Sequence, residues 1–214
     1  MKQQHRSSVM ETNPLQKTLG DFIKPCERLT DYIKIYDNVC DEQLCNEIIE
    51  SFNSDTSKHS YINRKGRPTF TEMNISQEYM NKNLTWISAQ KQVQALFIEY
   101  VSKYMDELDL GPDFPSKYVF EEFRVKKYRE KTEDQFADHT DVGDYNSARR
   151  FLVCFLYLND VEAGGTTDFP KISYSVEPKR ARILIFPPTW MYRHAGRPVM
   201  EGTKYILGTY LHYL

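Results

Sequence analysis

The sequence predicts an α+β fold that is mainly β, a jelly-roll core behind N-terminal supporting helices. Three observations predict it. Apolar residues in the first half recur at helical three- and four-residue steps. From Tyr118 onward the pattern shifts to short runs rich in β-branched and aromatic residues. Those runs are separated by Gly, Pro, Asn and Asp clusters, which close strands rather than extend helices.

Taken in order, residues 1–30 are polar, unpatterned and expected to form a flexible tail, with one domain over 31–214. Ile33, Ile35 and Val39 mark a short strand in DYIKIYDNV. Asp41 then caps a helix whose Leu44, Ile48, Ile49 and Phe52 share a face. Ser54 to Met80 reads as a long loop, and RKGRPTF within it is a candidate lid. Val93, Leu96, Phe97, Tyr100, Val101, Tyr104, Met105 and Leu108 form the stripe of a second helix, which Gly111, Pro112 and Pro115 end. The strand-like segments are 118–128, 150–158, 181–186 and 203–213, and a catalytic core spans about 118–214. In GGTTDFP, Gly164 and Gly165 provide a tight turn that frames the barrel.

Composition narrows the function classes. A net charge of −2 speaks against a surface built wholly for nucleic acid. The 4 cysteines (Cys26, Cys40, Cys45, Cys154) have no CxxC spacing, so neither a disulfide framework nor a zinc-thiolate site is expected. The basic N-terminus lacks an apolar stretch, and the longest apolar run, residues 151–158, is too short to span a bilayer. A cytoplasmic location is the expectation.

The chemistry concentrates in FADHTDVGD. His139 and Asp141 stand two apart, so an extended backbone sends both side chains to one face. A His-x-Asp pair alone is equally at home in a surface loop. Of the 5 histidines, His194 follows a strand, 53 positions after Asp141, and can return to the same barrel mouth. Two histidines and a carboxylate form the facial triad of non-haem iron(II) oxygenases, with coordination positions left open. Ten residues later, Lys204 lies in a strand whose alternation groups it with Ile206, Gly208 and Tyr210, opposite Tyr205, Leu207 and Leu211. A lysine on such an inward face requires an anionic partner. The distal carboxylate of 2-oxoglutarate would supply it.

Four blocks then resemble the prolyl 4-hydroxylase type of Fe(II)/2-oxoglutarate-dependent oxygenase. They are Tyr128 upstream of His139-Thr140-Asp141; Arg150 through FLYLNDVEAGGTTDFP; EPKRARILIFP; and HAGRPVMEGTKY. The resemblance implies a double-stranded β-helix with His139, Asp141 and His194 as catalytic iron ligands. It implies Lys204 and Tyr128 as the 2-oxoglutarate anchor, Tyr157 lining the same pocket and Arg150 near the substrate. It implies O2 as second cosubstrate, ascorbate as reductant, and hydroxylation of a peptidyl proline with release of succinate and CO2. Halogenating relatives lack the carboxylate that Asp141 provides. The rival readings are a hydroxylase of a free amino acid or small metabolite, a nucleic-acid-directed oxygenase, a non-catalytic barrel binding module and, more remotely, a zinc hydrolase. Phe136 stands where a tyrosine is frequent, REKTED replaces a glycine turn, and Tyr210 replaces a common tryptophan.

Overall fold

The computed structural model describes residues 26–64 and 68–214. The expected tail up to residue 25, and residues 65–67 at the tip of the candidate lid, lie outside the described residues.

The strands in chain order are β1 (Lys34–Tyr36), β2 (Ser60–Asn63), β3 (Thr69–Asn74), β4 (Tyr118–Phe120), β5 (Arg124–Arg129), β6 (Phe136–His139) and β7 (Arg150–Tyr157). They continue with β8 (Ala163–Gly164), β9 (Thr167–Phe169), β10 (Tyr174–Val176), β11 (Arg182–Phe186), β12 (His194–Gly196), β13 (Val199–Glu201) and β14 (Thr203–Tyr213). Three helices precede the catalytic half: α1 (Glu42–Ser54), α2 (Ile75–Met80) and α3 (Leu84–Glu107).

The Asp41 cap is present, its carboxylate accepting from the Gln43 amide, and Leu44, Ile48 and Phe52 of α1 are buried. The second predicted helix, α3, starts earlier than its stripe suggested. Asn83 caps it, and Trp86 and Ala89 extend the buried face toward the N-terminus. It ends at Glu107 with Leu108 as its C-cap, just before Asp109 turns into the left-handed region at φ 52. The expected 54–80 loop is instead a β2–β3 hairpin followed by α2. Its polar residues hid a strand whose few apolar positions, Phe70 and Met73, are buried, and Met73 pairs in register with Val125. The 118–128 segment is likewise two strands, broken at 121–123.

Two antiparallel sheets face one another, as a jelly roll requires. The larger has eight strands in the order β1-β11-β7-β14-β5-β3-β2, with β4 also paired to β14. The smaller runs β10-β9-β12-β6, and a short β13-β8 pair flanks it.

The larger sheet is buried on both faces, which is why β7 reads as an unbroken apolar run. Leu152, Cys154 and Leu156 pack with Tyr205, Leu207 and Leu211 under the helices. Val153, Tyr157, Leu184, Phe186 and Ile206 face inward, between the sheets. Lys204 and Gly208 share the inward parity of β14, as the alternation predicted. Gly164 and Gly165 adopt φ of 77° and 70°, and a Cβ at Gly164 would meet the Pro198 carbonyl oxygen at 2.6 Å. Only glycine fits that turn. Among the described residues no helix is long and apolar enough to cross a membrane.

Candidate active site

Sheet register brings the first two residues of interest together. His139 ends β6, His194 begins β12, and the two are directly paired. Asp141 lies two residues beyond β6 and turns its carboxylate back between the rings. His139 Nε2 is 3.4 Å from Asp141 Oδ1, and His194 Nε2 is 3.4 Å from Oδ2. The donor atoms of all three lie within 4.8 Å of one another.

Second contacts fix their orientation. Nδ1–H of His139 donates to the Ala137 carbonyl at 2.8 Å, and Nδ1–H of His194 donates to that of Tyr192 at 3.0 Å. A carbonyl only accepts, so each neutral ring keeps its lone pair on Nε2, pointed at the cluster. Phe136 stacks on His139 with centroids 3.6 Å apart, and Phe186 meets His194 edge-on at 4.8 Å. The Tyr210 hydroxyl donates to Asp141 Oδ1 at 2.8 Å, while Oδ2 is buried with no hydrogen-bond partner.

Burial alone would push the Asp141 carboxyl up. The neighbouring His194 and His139, together with the Tyr210 hydroxyl, outweigh that and hold it well below the usual carboxylate range. Burial lowers His194 to about 4, so its imidazole is neutral at physiological pH. Three aligned Lewis bases, one an orphaned buried carboxylate oxygen, suit a cation that accepts two nitrogens and one oxygen.

His139 and His194 border a cavity of about 340 Å³ between the two sheets, within the range of roughly 300–1,000 Å³ usual for small-molecule sites. Lys204 and Tyr128 face each other across the β14–β5 ladder and both line it. Lys204 is only 1% exposed; its Nζ donates to the Gly165 carbonyl at 2.7 Å and sits 4.5 Å over the Tyr128 ring. Burial lowers its pKa to about 7, outweighing the opposing pull of the Asp168 carboxylate, and among the described residues no carboxylate pairs with it directly. The glycine turn therefore does more than frame the barrel, since its second carbonyl aims the ammonium.

Tyr157 and Arg150 are placed differently. Tyr157 is fully buried behind the wall, its hydroxyl 2.6 Å from Thr167 Oγ1, and Thr167 rather than Tyr157 lines the cavity. Arg150 does reach the cavity. Its guanidinium forks onto Glu121, with Nη2–Oε2 at 2.9 Å, donates to the Asp141 carbonyl at 3.0 Å and covers the Tyr210 ring at 4.0 Å. His212 closes on the same Glu121 carboxylate.

Reading the sequence alone missed the Tyr210–Asp141 bond, the Glu121–Arg150–His212 cluster and a second cavity lysine, Lys126. The parity of β5 held the signal for the last, because Arg124, Lys126 and Tyr128 alternate onto one face.

Comparison with known proteins bears on the same segment. Residues 123–212 match the model of the 2OG-Fe(II) oxygenase superfamily. Over this stretch, which is less than half of the chain, the protein is similar to that superfamily. It carries the matched histidines, carboxylate and lysine in the arrangement just described. This chain is 31% identical over 108 residues to prolyl 4-hydroxylase subunit alpha-1 of Gallus gallus, covering 43% of this chain and 20% of that one. Its human counterpart is 30% identical over 76 residues, covering 32% and 14%. The chain thus spans a fifth or less of the length of the curated relatives it matches.

Among solved structures, a prolyl hydroxylase from Trichoplax adhaerens in complex with a hypoxia inducible factor oxygen degradation domain peptide fragment superposes with a TM-score of 0.67. It shares 16% identity and covers 95% of this chain and 94% of that one. A viral collagen prolyl hydroxylase from Paramecium Bursaria Chlorella virus-1 gives a TM-score of 0.61 at 18% identity, covering 86% and 96%. These likenesses establish the double-stranded β-helix fold.

One expectation follows for the metal's surroundings. Tyr210→Phe should weaken metal binding by ~10–100-fold, the usual loss when an outer hydrogen bond to a ligand is removed. Titration of the apo protein with Mn(II) would measure it, and unchanged affinity would remove Tyr210 from that task.

Proposed function

We propose that this chain is an iron(II)- and 2-oxoglutarate-dependent dioxygenase that hydroxylates a C–H bond of a peptidyl proline, releasing succinate and CO2. The observation that carries the reading is one cavity holding both halves of the apparatus. Three convergent Lewis bases stand at one side, and a buried ammonium without a carboxylate partner stands on the facing sheet.

His139, Asp141 and His194 would hold the ferrous ion. Lys204 and Tyr128 would hold the distal carboxylate of 2-oxoglutarate. When bound, iron with the oxo acid and O2 supplies the oxidising power that no protein side chain has, including the decarboxylation that yields succinate.

The protein's own part is positional. The two backbone carbonyls lock the imidazole tautomers, and Tyr210 with Arg150 holds the Asp141 carboxylate and its backbone in place. Lys204 meets a carboxylate that burial would otherwise leave uncompensated. Phe136, Phe155 and Ile206 keep the cavity wall apolar, so water is excluded around the carbon to be oxidised. Arg150 and Glu121 stand at the open side, where Arg150 would also meet the substrate.

The proline assignment is supported by the named relatives, several of which are prolyl hydroxylases, and by the peptide in one of the superposed structures. Ascorbate would serve as the reductant that keeps iron ferrous.

The test is direct. Iron-loaded protein, 2-oxoglutarate and a panel of proline-containing peptides and free amino acids are incubated and analysed by mass. The expected result is a gain of one oxygen on a peptide, matched by equimolar succinate. Oxygen gain confined to a free amino acid would overturn the peptide assignment, and no succinate under any condition would overturn the chemistry.

A further inference from the structure

We propose that Lys126 is a second carboxylate-binding residue of the cavity, selecting a substrate that carries an acidic group beside the carbon it presents. The inference rests on the reading of this cavity as an oxygenase site and adds the charge of its substrate.

Placement comes first. Along β5 the register with β14 pairs Tyr128 with Lys204, Lys126 with Ile206 and Arg124 with Gly208. All six line the cavity. Lys126 is therefore one row outward from the buried anchor, on the way to the mouth. Its Nζ lies 4.9 Å from the centroid of Phe70 and 5.5 Å from that of Phe136, the ring stacked on His139. Two aromatic faces thus hold the ammonium beside a triad residue.

The charge balance comes second. Arg124 is engaged by Glu72 at 3.0 Å and also by Glu122, and Arg150 is engaged by Glu121. Glu72 stands directly opposite Lys126 in the β3–β5 register, yet its carboxylate turns to Arg124. Among the described residues no carboxylate pairs with Lys126, and no hydrogen bond satisfies its Nζ.

Lys126 is half-buried in this wall, and its cation–π contacts, worth about 0.5–1 kcal/mol where exposed and about 2 or more where desolvated, leave its N–H donors without an acceptor. A lysine kept there needs an anion that arrives with a ligand. One end of 2-oxoglutarate is matched by Lys204 and the other by the metal, so the carboxylate left for Lys126 is the substrate's. The shared chemistry fits an acidic residue next to the target proline, and equally the carboxylate of a free amino acid.

The experiment uses the Mn(II)-loaded protein, so that binding is read without turnover. Calorimetry first measures 2-oxoglutarate binding to wild type and Lys126→Met. Fluorescence anisotropy, with 2-oxoglutarate present, then measures labelled proline peptides whose flanking residue is Glu, Gln or Lys, with free L-proline as competitor.

Expected are 2-oxoglutarate affinities within twofold of each other and a wild-type preference of roughly tenfold or more for the Glu peptide over the Gln peptide. Lys126→Met should erase that preference, and Lys126→Glu should transfer it to the Lys peptide. Competition by free L-proline that Lys126→Met abolishes would assign the carboxylate to an amino acid instead, still with Lys126 as its partner. Two results would overturn the proposal: a tenfold loss of 2-oxoglutarate affinity with peptide preference untouched, or a wild type indifferent to charge in peptides and proline alike. Wild-type protein that binds no 2-oxoglutarate at all defeats the oxygenase reading itself, before any variant is compared.

Discussion

Asp141→Ala is expected to lower 2-oxoglutarate turnover by at least about 10³-fold, with the fold intact. Losing an outer hydrogen bond around a metal already costs ~10–100-fold, and this change removes a ligand outright. It also removes a buried carboxylate oxygen that has no hydrogen-bond partner among the described residues. Succinate release and Mn(II) titration would measure the loss, with circular dichroism as the control for folding. Asp141→Asn is the sharper companion. It keeps the size and the place of the Tyr210 contact but surrenders the charge, so near-normal turnover in it would refute the role of the carboxylate.

Lys204→Met should act on the cosubstrate and on stability in opposite directions. Truncating one partner of a buried charge pair costs roughly 2–5 kcal/mol, so the 2-oxoglutarate requirement should rise by on the order of 10²-fold or more. The ligand-free protein should gain stability, because an ammonium that is 1% exposed gives way to an apolar chain of similar length.

The sign of the pH dependence follows from the pKa shift. Folding lowers the Lys204 pKa from 10.5 to about 7. Between those values the unfolded chain binds the extra proton, so the stability of ligand-free wild type should rise with pH across that window. Below about pH 7 the penalty is fully present, on the order of a few kcal/mol. Lys204→Met should lack this rise. Thermal denaturation of both proteins at pH 6 and pH 9 would detect it, and parallel curves would show that Lys204 is not a desolvated cation.

Much of this was legible in the sequence, for identifiable reasons. The α3 stripe and the alternation of β14 are long enough for periodicity to report burial, and Lys204 faces inward as its parity required. His139 and Asp141 were visible as a local pair.

Other parts depend on pairing between distant strands. The β2–β3 hairpin carries too few apolar residues to stand out from a polar loop, because β3 is defined by its partner β5. Tyr210 registered only as an unusual residue, since its bond to Asp141 spans 69 positions. Arg150 and His212 come from two strands and Glu121 from the break after β4, and they meet only through the register of β14 with β4 and β7. Lys126 was hidden by its neighbours. In RVKKY a lysine-rich strand looks solvated, although alternation already puts Lys126 on the face of Tyr128 and Lys127, which reaches Asn53 of α1, on the other.

The two histidines belong to one sheet, whereas Lys204, Tyr128 and Tyr210 belong to the other. A metal held by the first and an oxo acid tethered to the second would act together as a cross-brace. Occupancy would then resist the splaying of the two layers, and 2-oxoglutarate at 100 times its Kd would add about 2.7 kcal/mol against unfolding. Backbone amides of β6 and β14, which share no hydrogen bond, should thereby become linked in how rarely they open to solvent.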